Sequence, residues 1–484
     1  MTGAGRLTST VGPRTRRILY GDPGPAQIRA ELGPISTVDL AHVVMLAEQD
    51  LLPGPVAARL LERIVRMRAD GFADLCEVAA PRGLYLAYEQ ELVRQLGADV
   101  GGRLHTGRSR NDLKATTTAL RLRSDVNALA AELLRLQAVL LNRARRHHDT
   151  VMPVYTHFQP AMPVTYAYHL VGTALAVGRD VLGLRQAVAG LDRCPLGAGA
   201  VAGTDLPIDP ARTAALLGFA AGPVHATDAV ASRDGVLRVL AAAATAAVTL
   251  SRLGTDMQLW STQEFGFLTF PDRLVGGSSA MPQKRNAFLL EHVKAAAGPA
   301  IGAWTAAAAT MKSTPFTNTI EVGTEAVGGA GETLRRVGDA ARLTQALVSG
   351  ARPVVERMRQ RADEGFVTAT SLANRLVRDG VPFRTAHDLV GAAVRTAMEA
   401  GGTTLPPVGD GDGGTARTPP PMADLIARTD RGGGPGAVGA AFDVALTDLA
   451  DHAAWFRARH AAEQAADREL RDAVRHVVAG GASS

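Results

Sequence analysis

Cysteine, lysine and aromatic residues are scarce in this 484-residue chain. Its two cysteines, Cys76 and Cys194, exclude a disulfide framework and a cysteine-only zinc site, and fit a reduced, cytoplasmic setting. Lysine occurs only at positions 114, 284, 294 and 312, so nearly all of the 52 basic residues are arginine, a bias read first as genome composition. Charge of one sign is also lacking. A net charge of +5 is small for this length, and the basic residues are scattered among 47 acids rather than gathered on one element, which argues against a nucleic-acid partner. No apolar run reaches the ~20 residues a membrane span needs. The longest, Val239–Leu250, is mostly alanine, and Met1–Arg17 is polar and basic with no secretory core, so no membrane role is expected. The 51 glycines and 26 prolines follow no period, which excludes collagen, and 46% hydrophobic residues exclude a wholly disordered chain.

What is present is helix. Residues 1–35 read as an irregular arm. Ser36, with Asp39 three residues on, reads as a capping signal for a helix to Leu51, and a second helix runs to about Asp70 before Gly71. Arg108–Met152 contains neither glycine nor proline. In it Leu122, Val126, Leu129, Leu133, Leu136 and Leu140 step by fours and threes, an apolar seam on an unusually long helix. Further helices are expected near 164–190, 228–262, 288–312 and 324–350, a helix–turn–helix over Phe366–Gly391, a mobile Gly/Pro/Asp/Thr-rich loop over 401–422, and a helix over Ala441–His476. The predicted class is all-α, divided into 1–105, 106–355 and 356–484. Seams along most of each long helix need partners on more than one side, so a bundle completed by other subunits is expected; a monomeric helical domain is the alternative.

Four polar segments interrupt the helices. Gly102-Arg103-Leu104-His105-Thr106-Gly107-Arg108-Ser109-Arg110-Asn111-Asp112 precedes the long helix and suits an anion, although an arginine loop making salt bridges has the same composition. Tyr155-Thr156-His157-Phe158-Gln159-Pro160 holds a histidine that is either structural or catalytic. Ser232-Arg233-Asp234 is the third. Gly276-Gly277-Ser278-Ser279-Ala280-Met281-Pro282-Gln283-Lys284-Arg285-Asn286 offers exposed hydroxyls and backbone N–H groups with a lysine and an amide behind them, and Glu291 follows.

The fourth segment resembles the signature loop of the fumarase/aspartase superfamily. His105–Asp112 of the first and Tyr155–Gln159 of the second resemble argininosuccinate lyases specifically. So do Pro195-Leu196-Gly197 through Pro207-Ile208-Asp209, Trp260 through Phe267, and Phe366-Val367-Thr368-Ala369-Thr370 through His387, all in the same order over about residues 36–460. The resemblance implies three mostly helical domains around a long bundle, a homotetramer with a twenty-helix core, and active sites shared by three subunits. It implies cleavage of a C–N bond in an N-substituted aspartate with release of fumarate through an aci-carboxylate, with no cofactor and no metal. Ser278 would be the base, with Lys284 helping to lower its pKa. Lys284 and Asn286 would hold carboxylates, and Ser109, Arg110, Asn111 and Thr156 the rest of the succinyl part. His157, polarised by Glu291, would stand on the leaving-nitrogen side. Gln159, Arg233, Ser279 and Met281 complete the expected substrate contacts.

The chain also departs from that family. Gly83-Leu84-Tyr85-Leu86 stands where the family usually has Glu-Asp-x-His. Thr317-Asn318-Thr319-Ile320-Glu321-Val322-Gly323-Thr324 stands where it has Tyr-Asn-Lys-Asp-x-Gln-Glu-Asp. The arm lacks the family's Trp-Gly-Gly-Arg-Phe pattern. The missing groups serve largely the distal half of argininosuccinate, which points to the same reaction on another N-substituted aspartate, ethylenediamine-disuccinate being one known type. A true argininosuccinate lyase and an inactive, crystallin-type homologue are the alternatives.

Overall fold

The computed structural model describes residues 11–76, 80, 82–409 and 416–481. Helices α1 (Pro13–Tyr20), α2 (Pro25–Glu48), α3 (Gly54–Ala69), α4 (Leu84–Leu96) and the single turn α5 (Ala98–Gly101) lead to α6 (Arg110–Arg146). A hairpin of β1 (Val151–Thr156) and β2 (Gln159–Thr165) turns the chain into α7 (Tyr166–Ala189), followed by α8 (Pro210–Leu216), α9 (Ala226–Ala231) and α10 (Asp234–Trp260). After β3 (Leu268–Thr269) come α11 (Phe288–Ala295), α12 (Ala297–Met311), the turn α13 (Ala326–Gly328) and α14 (Ala330–Gly350); β4 (Arg352–Pro353) pairs with β3. The chain ends in α15 (Val355–Asp363), α16 (Ala369–Arg378), α17 (Phe383–Glu399), α18 (Met422–Arg428) and α19 (Val438–Gly481). The all-α class holds.

The Leu122–Leu140 seam is wholly buried, and it places α6 against α7 and α14, with α10 packed on both of those. His147, just past α6, meets Tyr166 at the start of α7, while Arg123 lies beside Asp192 just past the end of α7, so the two helices run antiparallel. A second core gathers α2, α3 and α4 with Leu113, Cys194, Leu216, Phe219 and the end of α19. A small third core lies between α16 and α17. By length and composition α2 and α10 are long and apolar enough to cross a membrane, and both pack into these cores.

The arm departs from its expected form. Residues 13–20 are helical, and α2 starts at Pro25 and runs straight through Ser36, which is buried mid-helix and caps nothing. The helix survives Pro34 because the carbonyl left without its usual donor, that of Ala30, accepts from Arg121 Nη2 at 2.9 Å. Ser36 Oγ turns back onto the carbonyls of Leu32 (2.7 Å) and Gly33 (2.9 Å). The expected 288–312 helix is two helices, because Pro299 cannot donate to the Ala295 carbonyl across the junction at Ala296. Within the expected 401–422 loop, Val408 and Arg417 exchange two 2.8 Å backbone hydrogen bonds. Residues 410–415 of that loop, and the first ten residues of the stretch read for a secretory signal, lie outside the described residues.

Asp39 is held not for a cap but for charge. It and Arg108 form a fully buried ion pair, Oδ1 to Nη2, at 2.5 Å. This pair joins α2 to the segment in front of α6. Breaking a buried pair by removing one partner strands the other charge, at a cost of about 3–5 kcal/mol. Asp39→Ala should therefore lower the denaturant midpoint by an amount equivalent to about 3–5 kcal/mol; a loss below about 1 kcal/mol, the range of an exposed pair, would contradict this account.

Candidate active site

The segment before α6 is built as a rigid helix start. Ser109 caps α6, its hydroxyl accepting from Asn111 N at 3.2 Å, and Asp112 closes the box by accepting from Ser109 N at 2.9 Å. The other Asp112 oxygen accepts from Gly197 N (3.1 Å) and Gly199 N (2.9 Å), which ties the Pro195-Leu196-Gly197 segment to the same helix end. Gly197 must be glycine: its φ is +102°, and a Cβ would lie 2.7 Å from Pro210. Behind the cap, Arg108 Nη2 also donates to the Tyr85 hydroxyl at 3.2 Å, which is 2.8 Å from His105 Nδ1, and His42 Nε2 is 2.8 Å from the Thr106 carbonyl. Burial and the Arg108 charge push His105 down to about 4, so it stays neutral at physiological pH. Tyr85 thus holds this loop from the stretch that departs from the family pattern, and Leu86 packs onto the second core.

At this end of α6 stand Asn111, bound by Asn318 Nδ2 (3.0 Å) and donating to the Ala200 carbonyl (3.1 Å), and Lys114, whose ammonium donates to Thr324. Arg110 is exposed. Arg233 precedes α10 and is 6% exposed. Only its Nη1 has a partner, the Ser232 carbonyl, while Nε and Nη2 are buried without one, and burial lowers its pKa to about 10. Two unspent guanidinium donors in a buried place suit a carboxylate. Sequence reading had no signal for their lack of partners. Val322, by contrast, is buried in the wall and presents nothing to a ligand.

Thr156, His157, Phe158 and Gln159 lie at the other end. Thr156 faces Gln159 across the hairpin, and the two-residue tip holds His157 at φ 51° and Phe158 at φ 60°. Hairpin tips of this kind favour Asn-Gly, and a non-glycine residue held there costs about 1–3 kcal/mol. Tyr155 anchors the hairpin against the rings of Phe265 (5.4 Å) and Phe267 (6.3 Å).

The Ser278 loop is closed at its base by two backbone hydrogen bonds between Gly276 and Asn286, of 2.8 and 2.7 Å. Inside it, Ser278 Oγ accepts from the backbone N–H groups of Ala280 (3.3 Å) and Met281 (3.0 Å), and Lys284 N donates to the Met281 carbonyl. Ser279, Met281 and Lys284 are exposed. Glu291, in the first turn of α11, accepts from Gln258 Nε2 at 3.3 Å near the end of α10. Among the described residues no hydrogen bond joins His157 to Glu291 or Lys284 to Ser278.

One distance governs the rest. At 1.5 Å per residue the 37 residues of α6 span about 55 Å. Asn111 is in its first turn, and the hairpin begins beyond its last. A six-residue strand reaches back by only about 20 Å, so Asn111 and His157 stay roughly 30 Å or more apart within one chain. The α10 helix likewise separates Arg233, at its start, from Gln258 and Glu291.

A helical bundle with its polar loops at the helix ends, one of them a serine loop of this form, defines a fumarase/aspartase-type lyase. Comparison with known proteins agrees. The family profile described as Lyase matches residues 80–302, and that described as Argininosuccinate lyase C-terminal matches 366–406. The argininosuccinate lyase of Synechococcus sp. (strain JA-3-3Ab) is 39% identical over 367 residues, 75% of this chain and 74% of its own. Argininosuccinate lyase 2 of Shouchella clausii is 37% identical over 366 residues, 75% and 79% of the two chains. Among solved structures, EDDS lyase in complex with formate superposes with a TM-score of 0.85 at 29% identity over 99% of this chain and 98% of that one. A class II fumarase from Schistosoma mansoni, at 15% identity and a TM-score of 0.66 over 79% and 86% of the chains, shares the fold alone. The chain belongs to the argininosuccinate lyase family.

Proposed function

We propose that this fumarate-releasing carbon–nitrogen lyase acts on an N-substituted L-aspartate whose amine half is not arginine. The observation that carries the chemistry is the Ser278 hydroxyl seated on two backbone N–H groups. Donors fixed on an oxygen favour its anionic form, which a serine needs to act as a base. Ser278 takes the proton from the carbon beta to nitrogen and alpha to a carboxylate. The electron pair moves into that carboxylate as an aci-carboxylate, held by Lys284 and Asn286. It then returns to form the double bond as the C–N bond breaks on the opposite face, and the departing nitrogen gains a proton. Ser109, Arg110, Asn111, Thr156, Gln159, Arg233, Ser279 and Met281 bind substrate, and His157 with Glu291 serves the leaving side. Ser278→Ala should reduce turnover by about two orders of magnitude or more, measured as fumarate absorbance at 240 nm; near-normal turnover in a folded protein removes Ser278 as the base and revives the inactive-homologue reading.

The proposed assembly is a homotetramer with shared sites. Two observations support it: the separation of Asn111 from His157, and α12, an almost wholly apolar helix with only Ala297, Ala300 and Ala307 of its 15 residues buried and with Ile301 and Trp304 exposed. Asn111→Ala and His157→Asn should each be inactive alone. Mixed as subunits in equal amounts they should regain up to about a quarter of the wild-type activity, since that share of sites then carries neither lesion. No recovery after verified mixing counts against shared sites.

For the amine half, Thr317, Thr319 and Val322 replace a tyrosine, a lysine and a glutamine of the family pattern. Two lost hydrogen bonds to charged groups cost about 3–6 kcal/mol together, so kcat/KM on argininosuccinate should fall below the usual enzyme range of about 10⁴–10⁸ M⁻¹s⁻¹. A value inside that range establishes the second reading, argininosuccinate lyase proper, which the names of the curated relatives favour.

A further inference from the structure

Where α6 and α14 end, a cavity of about 350 Å³ opens beside the turn Asp272–Leu274 and strand β4. Its lining carries Arg143, Arg273, Arg352 and His147, and no acid. None of these three arginines is in an ion pair with any described residue; Arg143 is half-buried, and Arg273 and Arg352 are exposed at the mouth. Arg143 donates through Nη2 to the Ala351 carbonyl, but its Nε is buried with no partner. Burial and the neighbouring Arg143 keep His147 below its ordinary value, so it serves as a neutral hydrogen-bonding group.

Basic residues at helix C-termini have an ordinary explanation, attraction to the helix dipole. Here it does not balance. Two helix ends supply about half a negative charge each, and three guanidinium groups supply three positive charges; with the Asp149 carboxylate that acts on His147 from outside the lining counted, a surplus of about one remains. Arg273 and Arg352 also come from outside the helices. We propose that this cavity binds a small divalent oxyanion, and that the bound anion steadies the root of the Ser278 loop. The connection is covalent and short. The turn that carries Arg273 runs through Val275 into Gly276, and Arg285, at the far end of the loop, binds back to the Asp272 carboxylate at 2.7 Å and the Phe270 carbonyl at 2.9 Å. Leu274 of the same turn sits against Gly350, where a Cβ would lie 2.4 Å from it, so the turn rests directly on the end of α14.

Two sources have this chemistry, inorganic phosphate and the reaction's own dicarboxylate product. Equilibrium dialysis of the full chain with phosphate, at fixed ionic strength in chloride, should give one saturable site per chain. Arg273→Gln and Arg352→Gln should each weaken it about tenfold or more, the loss expected for one charge-assisted hydrogen bond. Arg143 is left intact because it also holds the Ala351 carbonyl at the end of α14. Competition by fumarate assigns the site to the product, and phosphate binding indifferent to fumarate assigns it to phosphate. Phosphate should also change kcat about twofold or more, as expected where loop closure gates turnover, and this response should vanish in Arg273→Gln. Absence of saturable binding, equal affinity in the variants and wild type, or binding without any kinetic response would overturn the proposal.

Discussion

The length of α6 is the constraint on which the other features depend. A helix of 37 residues is stable only if its apolar stripe is covered along its whole run, and α7 and α14 do this within the chain. The same rod then fixes where the loops can be. Every connection of the bundle falls at one of two ends, so the polar segments sort into an Asn111–Arg233–Asn318 end and a Ser278–Glu291 end beyond the reach of each other's side chains. The chemistry proposed for this chain needs groups from both. A long rigid helix therefore keeps the two sets of groups apart within one chain, and the proposed homotetramer would bring unlike ends together by opposed packing of further copies.

The two ends are stiffened by different physics. At the first, buried charge does the work: Asp39, Arg108, Tyr85 and His105 form a connected polar chain under the cap of α6, and Asp112 closes three backbone donors around the same point. Displacing either Asp39 or Arg108 would strand a buried charge, and that cost holds α2 against the segment before α6. At the second, the backbone itself is the device. The Gly276–Asn286 closure makes a small ring whose inward N–H groups meet Ser278, and the hairpin tip keeps two non-glycine residues at positive φ. Strain of that sort persists where surrounding structure over-determines it, here the bulged hairpin pinned by Tyr155.

Much of this was legible in the sequence. The Leu122–Leu140 spacing specified the central helix, because a seam repeating by threes and fours has only one regular structure to occupy. The polar loop before α6 and the loop at 276–286 were readable from residue type and order; the cap that Ser109 forms was found only in the structure. The start of α2 was not. Ser36 with Asp39 satisfies a capping pattern, yet its outcome was decided by Arg121, 91 positions from Ala30, which supplies the donor that Pro34 withholds from that carbonyl. Local rules fail where a distant side chain pays for the exception. The partnerless nitrogens of Arg233 were equally invisible, since burial is a property of packing and not of the motif Ser232-Arg233-Asp234.

Three of the groups proposed to react are exposed. In a single chain His157, Lys284 and Glu291 all face solvent, where a charge is screened and a fixed donor is worth little over water. Electrostatic stabilisation of an aci-carboxylate requires those same groups in a dry, preorganised setting. Arg233 already has that setting, because the bundle encloses it; the serine loop and the hairpin do not. The interaction that would supply it is the burial of surfaces such as the open face of α12, which lies between the loop end and the Asn318 end in the chain order. In the proposed tetramer, covering that face and drying the site would be one event, and the apolar surface between subunits would set the dielectric around Ser278.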